Sequence, residues 1–383
     1  MTMETMQPNL KSGRNTWDRI NMPVEEFQAR VKKIRQKMKE RGIDVLLLYG
    51  NAYNEYGNYC YLSNYVIRLP QGALVVVPKA GALSVMFEGA LRGVPSVKKT
   101  TWIDDIRATK DVSQECVHYF QEKNLIPSVI GFAGLHRLMP HHQLQFLFDS
   151  LPKCRMVNAD SLIHELRIVK SPMEILQIRR ASRIVVRTFD FITDTSFKDL
   201  REEVLEAAAR REARLEGAED FRMMIAKPVE ERWAFKPPEE KPLRPEDRVI
   251  IYLAIEFERY WAEAVRTFHI RDSSFIDTQP EEVKTVYDTI MEGIKTGKKV
   301  SQFYRETLAK IKKAKFDIFP DYGIGQGMGL SPKEFPVLRK EDRSILHQGM
   351  CFSLRLGVTN KMIGPTMIGH TLSLSRKGVD VLT

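Results

Sequence analysis

The sequence predicts two domains, an α/β domain followed by an α+β domain organised around a buried β-hairpin. The chain has 383 residues, which is too long for a single hydrophobic core. Helical and strand patterns alternate from about residue 20 to residue 160, as is typical of an α/β domain with a mixed sheet. A strong helix start follows near residue 171, and residues 248–268 contain two apolar runs around a polar turn.

The amino-terminal domain begins with an amphipathic helix over residues 23–39, and Gly42 is the stop signal that follows it. A buried strand is predicted directly after it, over residues 44–49. The further elements expected in this domain are strands at 61–62, 73–77, 83–87, 102–103 and 129–132 and helices at 112–122 and 140–150. This order predicts a mixed sheet that is covered by helices.

The boundary between the domains is a helix start. Ser171 is in the N-cap position, Pro172 is in the first helical position and Glu174 follows three residues after the cap. This pattern is a capping box with the residue that helices prefer at their start. We therefore place the domains at residues 20–165 and 166–383.

The second domain continues with elements of both kinds. A helix is expected over residues 197–215, a strand over 221–226 and further helices over 281–294 and 301–314. The hairpin at 248–268 has β-branched and aromatic runs on either side of a polar turn, which predicts two buried strands.

Composition excludes several classes of protein. The longest apolar runs, such as residues 73–77, are far shorter than the ~20 residues of a membrane-spanning helix. The first residues are polar and lack the apolar core of a secretory signal. The four cysteines lack the spacing of a zinc site or a disulfide framework. We expect a cytoplasmic protein with no membrane partner.

The net charge of +10 does not by itself indicate nucleic-acid binding. The densest basic clusters, at residues 32–37 and 310–315, lie on helical patterns where a solvated face explains them. No helix-turn-helix, zinc-finger or RNA-binding signature accompanies them. We therefore expect no nucleic-acid partner.

Two sequence segments resemble segments of a known family. Residues 260–268 end in Arg266-Thr267-Phe268, and this phrase is similar to a hairpin of the creatinase, prolidase and aminopeptidase P superfamily. The phrase R-x-x-K-S-P-x-E-I at residues 167–175 resembles the entry to the carboxy-terminal domain of the same superfamily. The resemblance covers residues 24–383 and implies a "pita-bread" domain, a curved antiparallel sheet covered by helices, after a creatinase-like amino-terminal domain.

The resemblance also implies where metal-dependent members would hold two metal ions. At the five ligand positions this sequence has Tyr252, Glu263, Gln326, Arg355 and Gly369. Oxygen-rich dinuclear sites need several carboxylates to offset the charge of the cations, and an arginine stays protonated and repels a cation. We therefore expect no metal and no other cofactor at this site.

Two residues are candidates for a catalytic base. Glu263 is the carboxylate left at the ligand positions, and the alternative is that it forms a buried pair with Arg355. His370 has an imidazole that suits proton transfer near neutral pH, and the alternative is a structural histidine. Arg266 stands three residues from Glu263 on one strand, so it faces the other side of the sheet.

The candidate substrate-binding residues are mostly cationic or polar, which predicts a small anionic substrate. Arg355 and Lys333 would hold a carboxylate, although Lys333 has an alternative role as the ion partner of Glu334. Tyr252 would fill the volume of the metals and donate its hydroxyl, and Gln326 would donate to an oxyanion. The complete set is Arg355, Lys333, Tyr252, Gln326, Phe235, Arg68 and Glu334.

Phe235 stands where metal-dependent relatives have a histidine, and it would cover Glu263. The resemblance also implies a homodimer, in which an amino-terminal loop of one subunit borders the site of the other. Arg68 is the residue of that loop that would reach the substrate.

Three functions remain open at this point. The first is a metal-independent, creatinase-like hydrolase that cleaves a C–N bond in a small anionic nitrogen-containing compound. The second is an inactive pseudopeptidase that serves as a binding module, and the third is an Xaa-Pro peptidase. Burying charged groups costs several kcal/mol unless they are paired or meet a ligand, so a charged pocket favours the first.

Overall fold

The computed structural model of the protein describes residues 16–52, 56–67, 71–196, 201–228, 234–271, 274–318 and 323–383. The chain divides into two compact units between Arg167 and Ile168. Each unit has its own sheet. No helix in these residue ranges is long and apolar enough to cross a membrane.

The first unit is a mixed six-stranded sheet with helices. Its strands are β1 Val45–Asn51, β2 Gly72–Pro78, β3 Ser84–Glu88, β4 Asp105–Thr109, β5 Val129–Ala133 and β6 Arg155–Asn158. Its α-helices are α1 Val24–Glu40, α2 Gly57–Ser63, α3 Val94–Lys98, α4 Val112–Glu122, α5 Leu135–Leu138, α6 His141–Ser150 and α7 Asp160–Arg167. The strand order is β4-β3-β2-β1-β5-β6, and both parallel and antiparallel pairs occur, so the predicted mixed sheet is confirmed.

Two short strands were predicted wrongly in this unit. Residues 61–62 lie in helix α2, whose seven residues are all buried. A short apolar run predicts burial, but it does not distinguish a buried strand from a buried helix. The strand expected at 102–103 is instead β4, which begins at Asp105.

The second unit is a ten-stranded sheet with four described helices. The helices are α8 Pro172–Asp194, α9 Glu202–Leu215, α10 Glu281–Glu292 and α11 Val300–Lys313. The strands are β7 Asp220–Ala226, β8 Arg248–Phe257, β9 Tyr260–Arg271, β10 Ser274–Asp277, β11 Asp317–Ile318, β12 Gly325–Gly327, β13 Glu334–Val337, β14 Cys351–Thr359, β15 Thr366–Ser375 and β16 Gly378–Val381. The main order is β13-β12-β14-β15-β9-β8-β7. Residues 197–200 of the predicted helix at 197–215 lie outside the described residues.

The predicted capping box and hairpin are both confirmed. Ser171 Oγ accepts from the Glu174 backbone N–H at 3.2 Å, and Glu174 accepts in return from the Ser171 backbone N–H. Strands β8 and β9 pair antiparallel and turn at Glu258 and Arg259, which have φ values of 45° and 70°. Left-handed conformations at both turn residues match the right-handed twist of the strands.

The helices cover one face of this sheet. Helix α8 packs on β8 and β9 and helix α9 packs on α8 and β7, in one apolar cluster with Val249 and Ile251 of β8. Helices α10 and α11 share a second apolar cluster with Phe352 and Leu354 of β14. Because side chains alternate along a strand, the residues between them project from the other face. We call this other face, which carries Tyr252, Glu263, Ser353 and Arg355, the inner face.

Candidate functional site

Strand register brings the predicted site residues together on the inner face. Two rows of directly opposed residues cross neighbouring strands. The first row is Arg222, Ala254 and Glu263. The second row is Met224, Tyr252, Val265, Gly369 and Arg355.

Glu263 is the centre of a hydrogen-bonded group. Its side chain is 1% exposed. Its Oε2 accepts from the Tyr252 hydroxyl at 2.7 Å, and its Oε1 accepts from the Ser353 hydroxyl at 2.5 Å. Arg355 Nη1 lies 3.7 Å from Oε1. These partners offset the free-energy cost of burying a carboxylate.

The backbone holds Glu263 in this place. Its N–H donates to Thr371 Oγ1 at 2.8 Å, and the same hydroxyl donates to the Glu263 carbonyl at 2.8 Å. A side-chain hydroxyl therefore bridges β9 and β15 beside the site. This bridge fixes the register that brings Glu263 close to Ser353 and Arg355.

Tyr252 is a donor to Glu263. Burial raises the pKa of Tyr252 well above its usual value, and the neighbouring Glu263 carboxylate raises it further. The phenol therefore stays protonated and donates to the carboxylate. This contact differs from the predicted one, in which the hydroxyl would donate to the substrate.

The side chain of Arg355 lies across strand β15 at Gly369. A Cβ atom at position 369 would be 2.9 Å from Arg355 Cγ, closer than a real Cβ contact allows. The glycine therefore makes room for the arginine to approach Glu263. Within the described part of the chain, the buried Arg355 Nε has no hydrogen-bond partner, and the Arg355 side chain is 16% exposed.

Gln326 and Phe235 also lie beside this group. Gln326 is directly opposite Ser353 in the pairing of β12 with β14, so it shares the inner face. Its Nε2 donates to the Pro332 carbonyl at 3.0 Å. The rings of Phe235 and Tyr252 lie 6.1 Å apart, in an apolar cluster with Val265 and others.

The structure contradicts the prediction that His370 acts as a base at this site. His370 is next to Gly369 in sequence, so its side chain projects from the helix-covered face. Its ring contacts the ring of Tyr287 on α10, with centroids 5.6 Å apart. Burial and the charge of Arg266 lower the pKa of His370 to about 4, so the imidazole is neutral near pH 7.

The predicted pairing of Lys333 with Glu334 is also wrong. The ion partner of Glu334 is Lys170, with Nζ 3.0 Å from Oε2 and both side chains buried. The Ser331 backbone N–H donates to the other carboxylate oxygen of Glu334. Lys333 is exposed, and its role in substrate binding stays a prediction. Arg68 lies outside the described residues, so its contact with a substrate also stays a prediction.

Sequence reasoning missed four residues that the register brings to the inner face. Ser353 stands two residues before Arg355 on one strand. Residues two apart on a strand face the same side of the sheet, so this spacing could have placed Ser353 beside Arg355. Thr371 stands two residues after Gly369 in the same way. Trp261 stands two residues before Glu263 on β9, with the same spacing, whereas Arg222 carried no local signal, because its contact with Trp261 depends on the packing of β7 and β9 about β8.

The donor atoms on the inner face do not fit a pair of divalent cations. Both oxygens of Glu263 already accept hydrogen bonds, and the nearest charged group is the Arg355 guanidinium. Among the described residues, no group of three or more His, Cys, Asp or Glu side chains could hold a metal ion. Such a site would need several carboxylates or imidazoles.

Both domains of the chain match known protein families. Residues 176–376 match the metallopeptidase family M24. Residues 30–169 match the creatinase/prolidase N-terminal domain. The family match covers more than half of the chain and lies within the second unit.

Similar proteins match over nearly the whole chain. An Xaa-Pro dipeptidase of Pyrococcus horikoshii is 21% identical over 94% of this chain and 98% of its own length. An ectoine hydrolase of Halomonas elongata is 24% identical over 88% of this chain and 91% of its own length.

Solved structures give the same fold. The prolidase of Pyrococcus horikoshii has a TM-score of 0.75 at 20% identity and covers 93% of this chain and 98% of its own. The X-Pro aminopeptidase of Thermotoga maritima has a TM-score of 0.76 at 17% identity, with 92% and 97% coverage. These similarities confirm the predicted fold, an α/β amino-terminal domain followed by a pita-bread domain.

Proposed function

Since this chain belongs to the metallopeptidase family M24, we propose that it hydrolyses a C–N bond in a small carboxylate-bearing compound at its inner face. Its relatives include Xaa-Pro dipeptidases and an ectoine hydrolase, which supports a hydrolase. Of the three functions predicted from the sequence, these relatives favour the Xaa-Pro peptidase over the creatinase-like hydrolase. The substrate class we propose is therefore a dipeptide or a similarly small amide.

The observation that carries this proposal is a guanidinium with an available donor beside a buried carboxylate. Arg355 Nη1 lies 3.7 Å from Glu263 Oε1, beyond hydrogen-bond distance, and the Arg355 side chain is 16% exposed, so a donor of the guanidinium is open to a ligand. A carboxylate of the substrate would satisfy the arginine through charge-assisted hydrogen bonds and fix the orientation of the substrate.

Glu263 would act as the general base for water. A carboxylate offers about four lone-pair sites, and the hydroxyls of Tyr252 and Ser353 use two of them. The remaining capacity can accept a proton from a water that attacks the substrate carbonyl, and Glu263 would then return this proton to the leaving nitrogen as the C–N bond breaks. Gln326 lies on the same face and would donate to the oxyanion that forms.

We further propose that this reaction proceeds without the metal pair that the family name implies. The groups around Glu263 support this, because the Arg355 guanidinium lies 3.7 Å from Oε1 and would repel a cation. The residues themselves would then supply substrate orientation and the base.

The experiment is a hydrolysis assay on a panel of Xaa-Pro dipeptides and small carboxylated amides, with and without EDTA and added Mn²⁺ or Co²⁺. We expect turnover that EDTA leaves unchanged. Glu263→Gln should lower it by about 10²–10⁴-fold, the usual contribution of a general base. Glu282→Gln, an exposed change on α10, is the matched control. Turnover that needs added metal, or that survives Glu263→Gln, contradicts the proposal.

A binding site without turnover is the second candidate. The hydrogen bonds from Tyr252 and Ser353 to Glu263 favour a binding site, because they hold the carboxylate in place without any ligand. In that case a carboxylated ligand would raise the melting temperature, but no compound of the panel would be hydrolysed. The same assay therefore separates the two functions.

A further inference from the structure

Arg222 is a second guanidinium on the inner face. It lies on β7 directly opposite Ala254, which in turn lies opposite Glu263. The three residues therefore form a row across three neighbouring strands. The Arg222 side chain is 52% exposed, so a ligand at the inner face can reach it.

An aromatic ring holds this guanidinium in position. The Arg222 guanidinium carbon lies 4.5 Å from the centroid of Trp261, and Trp261 is fully buried against Ala254 and Met328. A cation stacked on an aromatic face keeps its N–H donors free at its edge. Asp220 is its ion partner at 3.4 Å, which is long for a charge-assisted hydrogen bond of about 2.7–2.9 Å.

The two guanidiniums converge on one strand. Arg355 reaches Glu263 and Arg222 reaches Trp261, and these two contacts are on inner-face residues of β9. Residues two apart on a strand are separated by about 7 Å. Both cations therefore act on the same small region.

We propose that Arg222 and Arg355 bind two anionic groups of one ligand, so that the inner face selects a compact dicarboxylate over a monocarboxylate. This inference rests on the proposed function and deepens it. The preferred substrate would be a small amide with one carboxylate on each side of its C–N bond. Arg222 would then be the residue that determines specificity for the second carboxylate.

The test uses two ligands that differ by one charge. Glutarate and glutaramate have nearly the same size, but glutaramate has an amide in place of one carboxylate. By isothermal titration calorimetry, we expect wild-type protein to bind glutarate about tenfold more tightly, a difference of about 1.4 kcal/mol. Arg222→Gln should remove this preference, and Arg222→Lys should retain part of it because it keeps the charge but loses the planar stack.

Arg210 offers a matched control. It is 50% exposed, lies 5.1 Å from the ring centroid of Phe221 and pairs with Glu206. Arg210→Gln should leave the preference for glutarate unchanged. The melting temperatures of Arg210→Gln and Arg222→Gln should agree within a few degrees, so that a difference in stability does not explain a difference in binding.

Either of two results overturns the inference. One is a wild-type protein that does not prefer glutarate or does not bind it. The other is a preference that persists in Arg222→Gln. Binding is measured without turnover, so this test is separate from the hydrolysis assay. A preference for glutarate without hydrolysis would support this inference and not the proposed function. Hydrolysis of a monocarboxylate without the preference would support the proposed function and not this inference.

Discussion

The side chain of Arg355 occupies the space beside Gly369 that any larger residue at position 369 would need. A Cβ atom there would lie 2.9 Å from Arg355 Cγ and 3.4 Å from Val265 Cγ2. Two positions that the family resemblance assigns to metal ligands are therefore linked in this protein. The glycine at one of them lets the arginine at the other reach Glu263.

Gly369→Ala should displace Arg355 from Glu263. We expect weaker binding of carboxylate ligands and a loss of about 1–3 kcal/mol in the free energy of unfolding, as in other overpacked cores. Urea unfolding and calorimetric titration with glutarate measure the two effects. In the background of Arg355→Ala, the same change should cost much less, because the clashing side chain is gone. Equal costs in the two backgrounds would show that the two residues are not coupled.

Tyr252→Phe should destabilise the protein by about 1–3 kcal/mol, because it leaves a buried oxygen of Glu263 without its hydroxyl donor. The ring, and its packing with Phe235, would be retained. Chemical denaturation measures the free energy of unfolding, and Tyr304→Phe on the partly exposed face of α11 is the control. A Tyr252→Phe protein as stable as the control would argue against the Tyr252–Glu263 bond.

Stability should fall in acid through His370. The folded protein holds the pKa of this residue at about 4, and an unfolded histidine titrates near 6.5. Between these values the unfolded chain binds more protons than the folded one, so stability is lost as pH falls from about 6.5 to about 4. The shift corresponds to a contribution on the order of 3 kcal/mol.

His370→Asn should flatten the pH dependence of the melting temperature over this interval. Thermal unfolding of both proteins from pH 7 to pH 4 makes the comparison. Parallel curves for the two proteins would mean that His370 is not the titrating group.

Lys170→Met should cost about 3–5 kcal/mol, because Glu334 would remain buried without its cation. Adding Glu334→Gln should restore much of the loss. The pair of Lys241 with Glu239 is exposed and screened by solvent, so Lys241→Met should lower the free energy of unfolding far less than Lys170→Met. Similar losses for Lys170→Met and Lys241→Met would contradict a buried ion pair.

Sequence patterns predicted the helix starts and turns that depend on neighbouring residues. The capping box at Ser171 and the hairpin at 248–268 depend on residues close in sequence, and both are present. Alternation also placed Arg266 on the face opposite Glu263, and its guanidinium stacks on Phe189 of helix α8. The same rule, applied from Gly369, would have placed His370 on the helix-covered face.

The contacts that the sequence did not predict join distant strands. Lys170 and Glu334 are 164 residues apart, and Ser353 and Glu263 are 90 residues apart. The contact of Ser353 with Glu263 depends on the order β14-β15-β9 in the sheet and on its register, and the pair of Lys170 with Glu334 depends on how the start of β13 meets the segment before α8; no local pattern specifies either. The family resemblance indicated which five residues stand at the metal-ligand positions. It did not indicate which hydrogen bonds those residues make.

The most direct test of the account is the metal content of the inner face. Purified protein would be incubated with Mn²⁺, Co²⁺ or Zn²⁺, separated from free ions and measured by elemental analysis, together with its melting temperature with and without EDTA. Because no group of three or more His, Cys, Asp or Glu side chains stands here among the described residues, and the Arg355 guanidinium repels cations, we predict only substoichiometric metal and no effect of EDTA. A stoichiometric metal ion that is lost in Glu263→Gln, with a melting temperature that EDTA lowers, would contradict the account.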